Sequence, residues 1–428
     1  MTDNSQMSAV VDQLSERIIS RATDILRYPS KQGAEAGAQQ YVERTARQLG
    51  ADLIDLWEPD YAELSRHPAF VSDRNDFSGS PNLAATWKGN GGGRSLILSS
   101  HIDVVPEGDH DEWHHGPFSG EVVDGVIYGR GVSDMKGSLA AMFGAIEGLK
   151  QLGLKLKGDL TIISTIEEET GGSGALSAVL RGYRAAAAIV PEPTGFALCP
   201  AQQGGARFFI KVQGKSAHAG QRLMGVSALD KTDLVRKALT AYERYLNERF
   251  RSNYYEGVEL PFSVNVGFLK SGDWFCTVPE TATLEGRLAV PPGLTVEESL
   301  KLLKEFIRQE TQADPWLKEH PPEVSFGQTY WQPAQIDPDS PIVQTARQSF
   351  QDHFGRPPTI RGTAWGTDGR MFTEFGSTPA LVFGPGTSAH CPNEFLKVQD
   401  LLDYTKILIN LVAQWCGTTC GADSKQEL

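Results

Sequence analysis

Five residues of metal-ligating type, His101, Asp134, Glu169, Glu192 and His390, each stand where an apolar run ends or a tight turn begins. His101 closes LILSSH, with Asp103 two residues on. Asp134 lies in GRGVSDMKG ahead of a helix-like segment, and Glu169 ends the glutamate run of LTIISTIEEETGG. Glu192 follows AAAAIVP, and His390 follows ALVFGPGTSA. Imidazole and carboxylate donors brought to one place are the set that zinc-type catalysis uses. A single His-X-Asp or a single EEE run is ordinary surface. Five such segments, each at the end of a candidate strand or turn, point to one metal site.

The elements that must position these residues are legible in the same segments. LILSS, LTIISTI, AAAAIV and ALVF are short continuous apolar runs followed by Gly, Pro or polar clusters, the pattern of strands covered on both faces. LAAMFGAIEGLKQLG and LLDYTKILINLVAQW have helical period and length, and Val11, Leu14 and Ile18 mark one face of an amphipathic N-terminal helix. The expectation is an α/β catalytic domain around a central, mostly parallel sheet. Ligands of such sheets collect outside the carboxyl ends of the strands, and four of the five donors fall just past those ends.

The long interval between Glu192 and His390 reads as a second domain. ARFFIKVQG is a strand and 226–246 a helix, with Val235, Leu239, Tyr242 and Leu246 on one face. FSVNVGF and ATLEGRLAV alternate as strands. TVEESLKLLKEFI is a helix with Val296, Leu300, Leu303 and Ile307 in one stripe, and EVSFGQ a last strand. The order β-α-β-β-α-β is the split ferredoxin-like unit. It predicts an inserted lid or dimerisation domain over 206–327, dividing the catalytic domain into 1–205 and 328–428. In ATLEGRLAV, alternation puts Ala282, Leu284, Leu288 and Val290 on the covered face and Arg287 on the open one with Thr283 and Glu285. There Arg287 either grips a substrate carboxylate with a two-pronged hydrogen bond or pairs with Glu285.

HIDVVP, GRGVSDMKG, EEETGG, PEPT, GKSAH and GPGTSAHCPNEF, in this order, resemble the successive motifs of the acetylornithine deacetylase and succinyl-diaminopimelate desuccinylase family. That family consists of two-zinc amidohydrolases related to carboxypeptidase-type aminoacylases. The resemblance runs from about Pro29 to about Trp415. It implies that Asp134 is shared by two metals, that His101 and Glu192 complete one, and that Glu169 and His390 complete the other. It implies Asp103 as hydrogen-bond partner of the His101 ring, fixing its tautomer, and Glu168 as general base. Glu167 stands where the family often has Asp, so three glutamates run together and the register of base and ligand could slip by one. The Thr-Gly-Gly that follows favours Glu168 as base, and adjacent residues of an extended segment would point the two carboxylates apart. His218 of GKSAH would stabilise the oxyanion, commonly in a neighbouring subunit's active site, and the family's similar motif favours Arg287 as a substrate-binding residue.

The implied cofactor is a pair of divalent ions, zinc first, with cobalt or manganese accepted by the same donors. The implied reaction is hydrolysis of the linear amide of a small N-acylated amino acid or amine, of the deacetylase, desuccinylase or deformylase kind, by water activated between the metals. The substrate is expected to carry a carboxylate. A dipeptidase or carboxypeptidase with the same centre is the alternative. A non-catalytic binding protein on this scaffold is disfavoured by the complete ligand set.

At 428 residues and a net charge of −13, the chain is long enough for two domains and has no basic block, which argues against nucleic-acid binding. No apolar run has the length of a membrane span, and the N-terminal segment has no secretory hydrophobic region. Five cysteines outside most of the metal motifs argue against a thiolate finger and suit a reducing cytoplasm; Cys391 reads as a buried small residue. His110, His114, His115 and His67 read as exposed loop residues. Gly171, Gly172 and Gly174 lack the lysine of a phosphate loop and read as turn residues beside the metals.

Overall fold

The computed structural model of the protein describes residues 4–256 and 258–420. The chain forms two compact units, one of residues 1–200, 335–361 and 367–428, the other Ala201–Ala334 with Gly362–Gly366. The insert expected at 206–327 lies inside the second unit, whose bounds run a few residues further at either end. Among the described residues no helix is long and apolar enough to cross a membrane.

The first unit is built on a mixed sheet. Its middle is parallel, with Leu160–Thr165, Leu96–His101, Ala187–Val190 and Ala380–Val382 side by side in that order. Asn82–Trp87 and Leu53–Trp57 extend one edge antiparallel, and Leu198–Gln202 joins Ala380–Val382 antiparallel at the other. The central strands are aliphatic throughout because helices cover both faces; every residue of Leu96–His101 is buried. From Leu96–His101 the chain crosses to Leu160–Thr165 on one side, then returns to Ala187–Val190 on the other. The crevice at the carboxyl end of Leu96–His101 is therefore a topological switch point, where α/β sheets bind their ligands.

Helix Gly137–Gln151 is buried along almost its whole length, against Asn4–Leu26 and Val398–Cys416. Gly144 and Gly148 make that possible. A Cβ at Gly144 would stand 2.9 Å from Ile18 Cγ1, and one at Gly148 would stand 2.5 Å from Ile409 Cδ1. Each glycine weakens the isolated helix by about 1 kcal/mol, a cost offset by this close approach. Val11, Leu14 and Ile18 are buried as their spacing predicts.

The second unit has the strand order Val264–Ser271, Thr281–Val290, Gly204–Gln213, Glu323–Trp331, all pairs antiparallel. With helices Ala228–Arg249 and Val296–Thr311 packed on the sheet, this is the split ferredoxin-like arrangement. Val235, Leu239, Tyr242 and Leu246 meet Ala282, Leu284 and Leu288 in one core. Val296, Leu303 and Ile307 are buried, whereas Leu300 is only partly so.

Candidate metal centre and active site

His101 is the last residue of its strand, and Glu192 lies just past Ala187–Val190, so adjacent parallel strands deliver both to one crevice. Asp134 is carried by the irregular Val132–Lys136 turn, in which its own dihedrals are not helical and the Asp134–Met135 peptide is cis. His390 lies in the segment after Ala380–Val382, with a φ of +56°.

The Asp134 carboxylate is divided between two imidazoles. Oδ1 lies 3.0 Å from His101 Nε2, and Oδ2 lies 3.4 Å from His390 Nε2. Glu169 Oε2 is 3.0 Å from His390 Nε2, and Glu192 Oε2 is 4.0 Å from His101 Nε2. Donor atoms of His101, Asp134 and Glu169 lie within 4.8 Å of one another, as do those of His101, Glu168 and Glu192. All five sequence-nominated ligands and Glu168 thus converge.

Asp103 acts differently from the expectation. The His101 ring meets the main-chain carbonyl of Asp103, 2.9 Å from Nδ1, while the nearer carboxylate oxygen is 3.7 Å away. That carbonyl can only accept, so Nδ1 carries a proton and Nε2 is the ring nitrogen turned to the cluster, where it meets Asp134. The carboxylate instead accepts from the amides of Glu168 (3.3 Å) and Glu169 (3.1 Å). The glutamate run is a turn, not an extended segment, closed by Gly171 N–H to the Glu168 carbonyl and Gly172 N–H to the Glu167 carbonyl. Gly172 has a φ of +78°, and a Cβ there would stand 2.8 Å from the Arg370 guanidinium, so the turn requires glycine. Glu167 takes a left-handed conformation too, and its carboxylate is committed elsewhere. It pairs with Arg74 at 2.9 Å and accepts from Ser72 (3.0 Å) and Thr170 (2.9 Å). Only Glu168 and Glu169 are left for the cluster.

The electrostatics record an excess of negative charge. Burial pushes Glu168 and Glu192 well above the carboxylate range, Asp134 adding to the effect at Glu192, and burial likewise pushes Asp103 up to about 8. Burial also opposes ionisation of Asp134, but the two imidazoles outweigh it and hold this carboxyl well below its usual value. Hydrogen bonds with Asp134 and Glu169 push His390 up to about 10. Burial disfavours the charged His101, yet Asp134, Glu192 and Asp103 carry it well above the ordinary imidazole value. Protons are thus held where cations would serve. Glu192 Oε1 is buried with no hydrogen-bond partner among the described residues. Two imidazoles with several carboxylates and no thiolate suit zinc, cobalt or manganese, so the residues present fit divalent cations.

Several residues around the cluster escaped the sequence reading. Asp368 and Arg370 are buried; Asp368 accepts from Thr165 Oγ1 at 2.8 Å, and Arg370 donates to the Gly171 carbonyl at 2.7 Å, supporting the glutamate turn. Lys136, buried, donates to the Tyr28 carbonyl at 2.7 Å, and burial brings its ammonium down to about 7. Their only signal was charge next to glycine or a proposed ligand, as in GTDGR and SDMKG. Cys391, expected buried, is exposed because it belongs to the irregular His390 loop. His110 and His114 are exposed as expected; His115 is only partly so, stacked on Tyr128 and paired with Glu121. His67 is also partly covered, edge-on to Phe375.

His218 and Arg287 belong to the second unit. His218 is exposed, and its Nδ1 accepts from Gly220 N–H at 3.1 Å, which leaves Nε2–H as a donor. Arg287 is exposed opposite Arg207 in the strand register. Glu285 pairs with Arg207, so the pairing of Arg287 with Glu285 is not formed, and Arg287 has no ion pair among the described residues.

An α/β unit with carboxylate and imidazole donors at its switch point defines a metal-dependent hydrolase. The chain belongs to the peptidase family M20/M25/M40, whose model matches residues 97–414. It is similar to the N-formyl-4-amino-5-aminomethyl-2-methylpyrimidine deformylase of Halalkalibacterium halodurans, 31% identical over 96% of this chain and 97% of that protein. The Bacillus subtilis deformylase of the same name is 26% identical over 95% of this chain and 96% of that protein. The fold is similar to a Staphylococcus aureus tripeptidase, with a TM-score of 0.70 and 20% identity, covering 94% of this chain and 98% of that one. A dinuclear metal-binding peptidase from Bacillus subtilis aligns with a TM-score of 0.64 and 16% identity over 95% of this chain and 100% of that one. The chain is an enzyme, a metal-dependent hydrolase of the linear amide bond in a small N-acylated amino acid or amine.

Proposed function

We propose that this hydrolase is a deformylase, releasing formate and a free amine from a formylated aminomethyl group on a substituted aminopyrimidine. The observation that carries the reading is the 31% identity to such a deformylase, sustained over 96% of the chain. It singles out the deformylase kind among the deacetylase, desuccinylase and deformylase reactions that the motifs left open. A formylated aminomethylpyrimidine has no carboxylate, so Arg287 serves as a hydrogen-bond donor to a neutral acceptor rather than as a carboxylate clamp.

Two divalent ions, zinc first, would be held by His101 with Glu192 and by Glu169 with His390, Asp134 being shared. The division of the Asp134 oxygens between the two imidazoles supports that sharing. When bound, such ions lower the pKa of water and polarise the scissile carbonyl. Glu168 takes the proton of the attacking water as the new C–O bond forms. His218 donates to the developing oxyanion through Nε2–H. Glu168 then hands its proton to the departing nitrogen as the C–N bond breaks, leaving formate and amine.

A dimer through the second unit is part of the proposal. Val264–Ser271 is an edge strand, and Phe268, Trp274 and Phe275 on and beside it are exposed, an apolar edge that pairing with a second copy would cover. Sedimentation of the purified protein tests this. We assign the enzyme to the cytoplasm on its free cysteines and the small polar substrate.

The deciding experiment measures formate release by metal-reconstituted protein from the formylated aminomethylpyrimidine, beside N-acetylornithine, N-succinyl-diaminopimelate and dipeptides. The expected result is a kcat/KM for the formyl compound well above the others. Faster turnover of an acyl amino acid or a dipeptide would overturn the substrate assignment.

A further inference from the structure

Glu394 is fully buried and belongs to none of the proposed ligands, yet it ties together the loops that carry them. Its Oε1 accepts from the main-chain amides of Ser133 (3.0 Å) and Asp134 (3.1 Å), and its Oε2 meets Arg130 Nη1 at 2.7 Å. The buried Arg130 also donates to the carbonyls of Cys391 (3.3 Å) and Pro106 (3.4 Å), beside His390 and shortly after Asp103. The Glu394 carbonyl accepts from Gly129 N–H at 3.0 Å, and Phe395–Lys397 pairs antiparallel with Val126–Tyr128.

Asp134 has non-helical dihedrals inside the kinked Val132–Lys136 turn and His390 lies in an irregular loop, so neither position is set by regular strand or helix backbone. A buried ion pair is costly to desolvate and is sustained by the further hydrogen bonds its two groups make. Here the amides and carbonyls of three loops supply them, with Arg130 Nε alone of the pair's polar atoms lacking a partner among the described residues. The acceptor pattern also asks for a carboxylate. One oxygen takes two amides and the other takes a guanidinium, whereas a glutamine would turn an N–H₂ donor towards Arg130 or towards the amides.

We propose that the Arg130–Glu394 pair is a positioning device for the metal centre, holding the backbone of Asp134 and His390 at the spacing at which the one carboxylate meets both imidazoles. The inference rests on Asp134 and His390 being metal ligands.

The test reads metal binding directly. Metal-free protein is titrated with Zn²⁺ against a chromophoric chelator, and the visible spectrum of the Co²⁺-loaded protein is recorded. Glu394→Gln should lower zinc affinity by roughly 10- to 100-fold and alter the cobalt bands, as loss of outer-shell support does at other metal sites. Arg130→Lys, which keeps the charge but loses the fork, should fall between this variant and the unaltered protein. Leu239→Ala, in the core of the second unit, should lower the thermal midpoint and leave the zinc titration unchanged, separating positioning from general destabilisation. A folded Glu394→Gln protein with the original affinity and cobalt spectrum would overturn the proposal. Should that variant not fold, an unchanged affinity in Arg130→Lys overturns it. Asp134→Asn is the control for the premise: if it binds zinc as tightly as the unaltered protein, the ligand assignment fails and this inference with it. If Asp134→Asn weakens binding and the Arg130 and Glu394 variants do not, the positioning role alone fails.

Discussion

The Glu167 carboxylate turns away from the metal-ligand cluster and meets Arg74 at 2.9 Å, while its neighbours Glu168 and Glu169 stay with the cluster. Three consecutive glutamates are therefore divided between two settings, with Glu168 proposed as base and Glu169 as ligand. Glu168→Gln is expected to lower kcat by about 10²- to 10⁴-fold with metal content unchanged, because the amide keeps the shape but takes no proton. Glu169→Gln should weaken metal binding, and Glu167→Gln should chiefly lower the thermal midpoint. Metal analysis beside kcat separates the three, and metal loss from Glu168→Gln rather than Glu169→Gln would shift the register by one.

The Asp103 carboxylate grips the amides of Glu168 and Glu169, so its removal should be felt in the turn rather than in the His101 ring. Asp103→Ala is expected to reduce metal affinity by about 10- to 100-fold. The His101 tautomer should survive, since the main-chain carbonyl that fixes it remains. Nitrogen chemical shifts of the His101 ring in the zinc-loaded variant check this: a change of tautomer would return the orienting role to the carboxylate.

The metal-free site should respond to pH in the opposite sense to the metal-bound one. Asp103 at about 8 and His390 at about 10 both lie above their unfolded values in the metal-free fold. Each therefore contributes stability that is fully present below its unfolded pKa and lost as pH rises through its folded one. Metals bind His390 deprotonated and their charge favours ionised Asp103 beside the donors, so binding releases these protons and affinity rises with pH. The gain in thermal midpoint on adding zinc should accordingly grow between about pH 5 and about pH 8. Melting curves with zinc and with chelator across that range measure it, and a gain that is flat or shrinks would contradict the charge balance.

His218 and Arg287 belong to the second unit and are proposed to act on the substrate. Arg287→Ala should mainly raise KM, about tenfold, because a grip on a remote acceptor acts alike in ground and transition states. His218→Ala should mainly lower kcat, by about 10²- to 10³-fold, as loss of an oxyanion donor does. Steady-state kinetics on the formyl substrate distinguish them; wild-type constants in His218→Ala would remove that residue from the mechanism.

Periodicity alone was enough for the elements that bury apolar surface. The aliphatic runs ending at His101 and preceding Glu192 are central strands, and the Val235, Leu239, Tyr242 and Leu246 stripe is the core face of its helix. A burial pattern repeats along the chain and can be read from one dimension. The nomination of the ligands rested on the same logic, because a donor at the end of a buried strand has only one place to go. What the local pattern could not convey was the partner of each polar group. The EEE run read as extended, yet it is a turn in which Glu167 is drawn off by Arg74 and Asp103 holds the two amides. Cys391 read as buried and is exposed; Glu394 lay unremarked in the same motif and is the buried carboxylate that joins the Asp134 loop. Arg74 and Glu167 are distant in sequence, as are Arg130 and Glu394. Such pairings depend on where two irregular segments meet. Sequence determined the candidate donors and the central strands beside them, because burial is periodic; tertiary structure decided which carboxylates turn to the cluster, because hydrogen bonds are satisfied by neighbours in space.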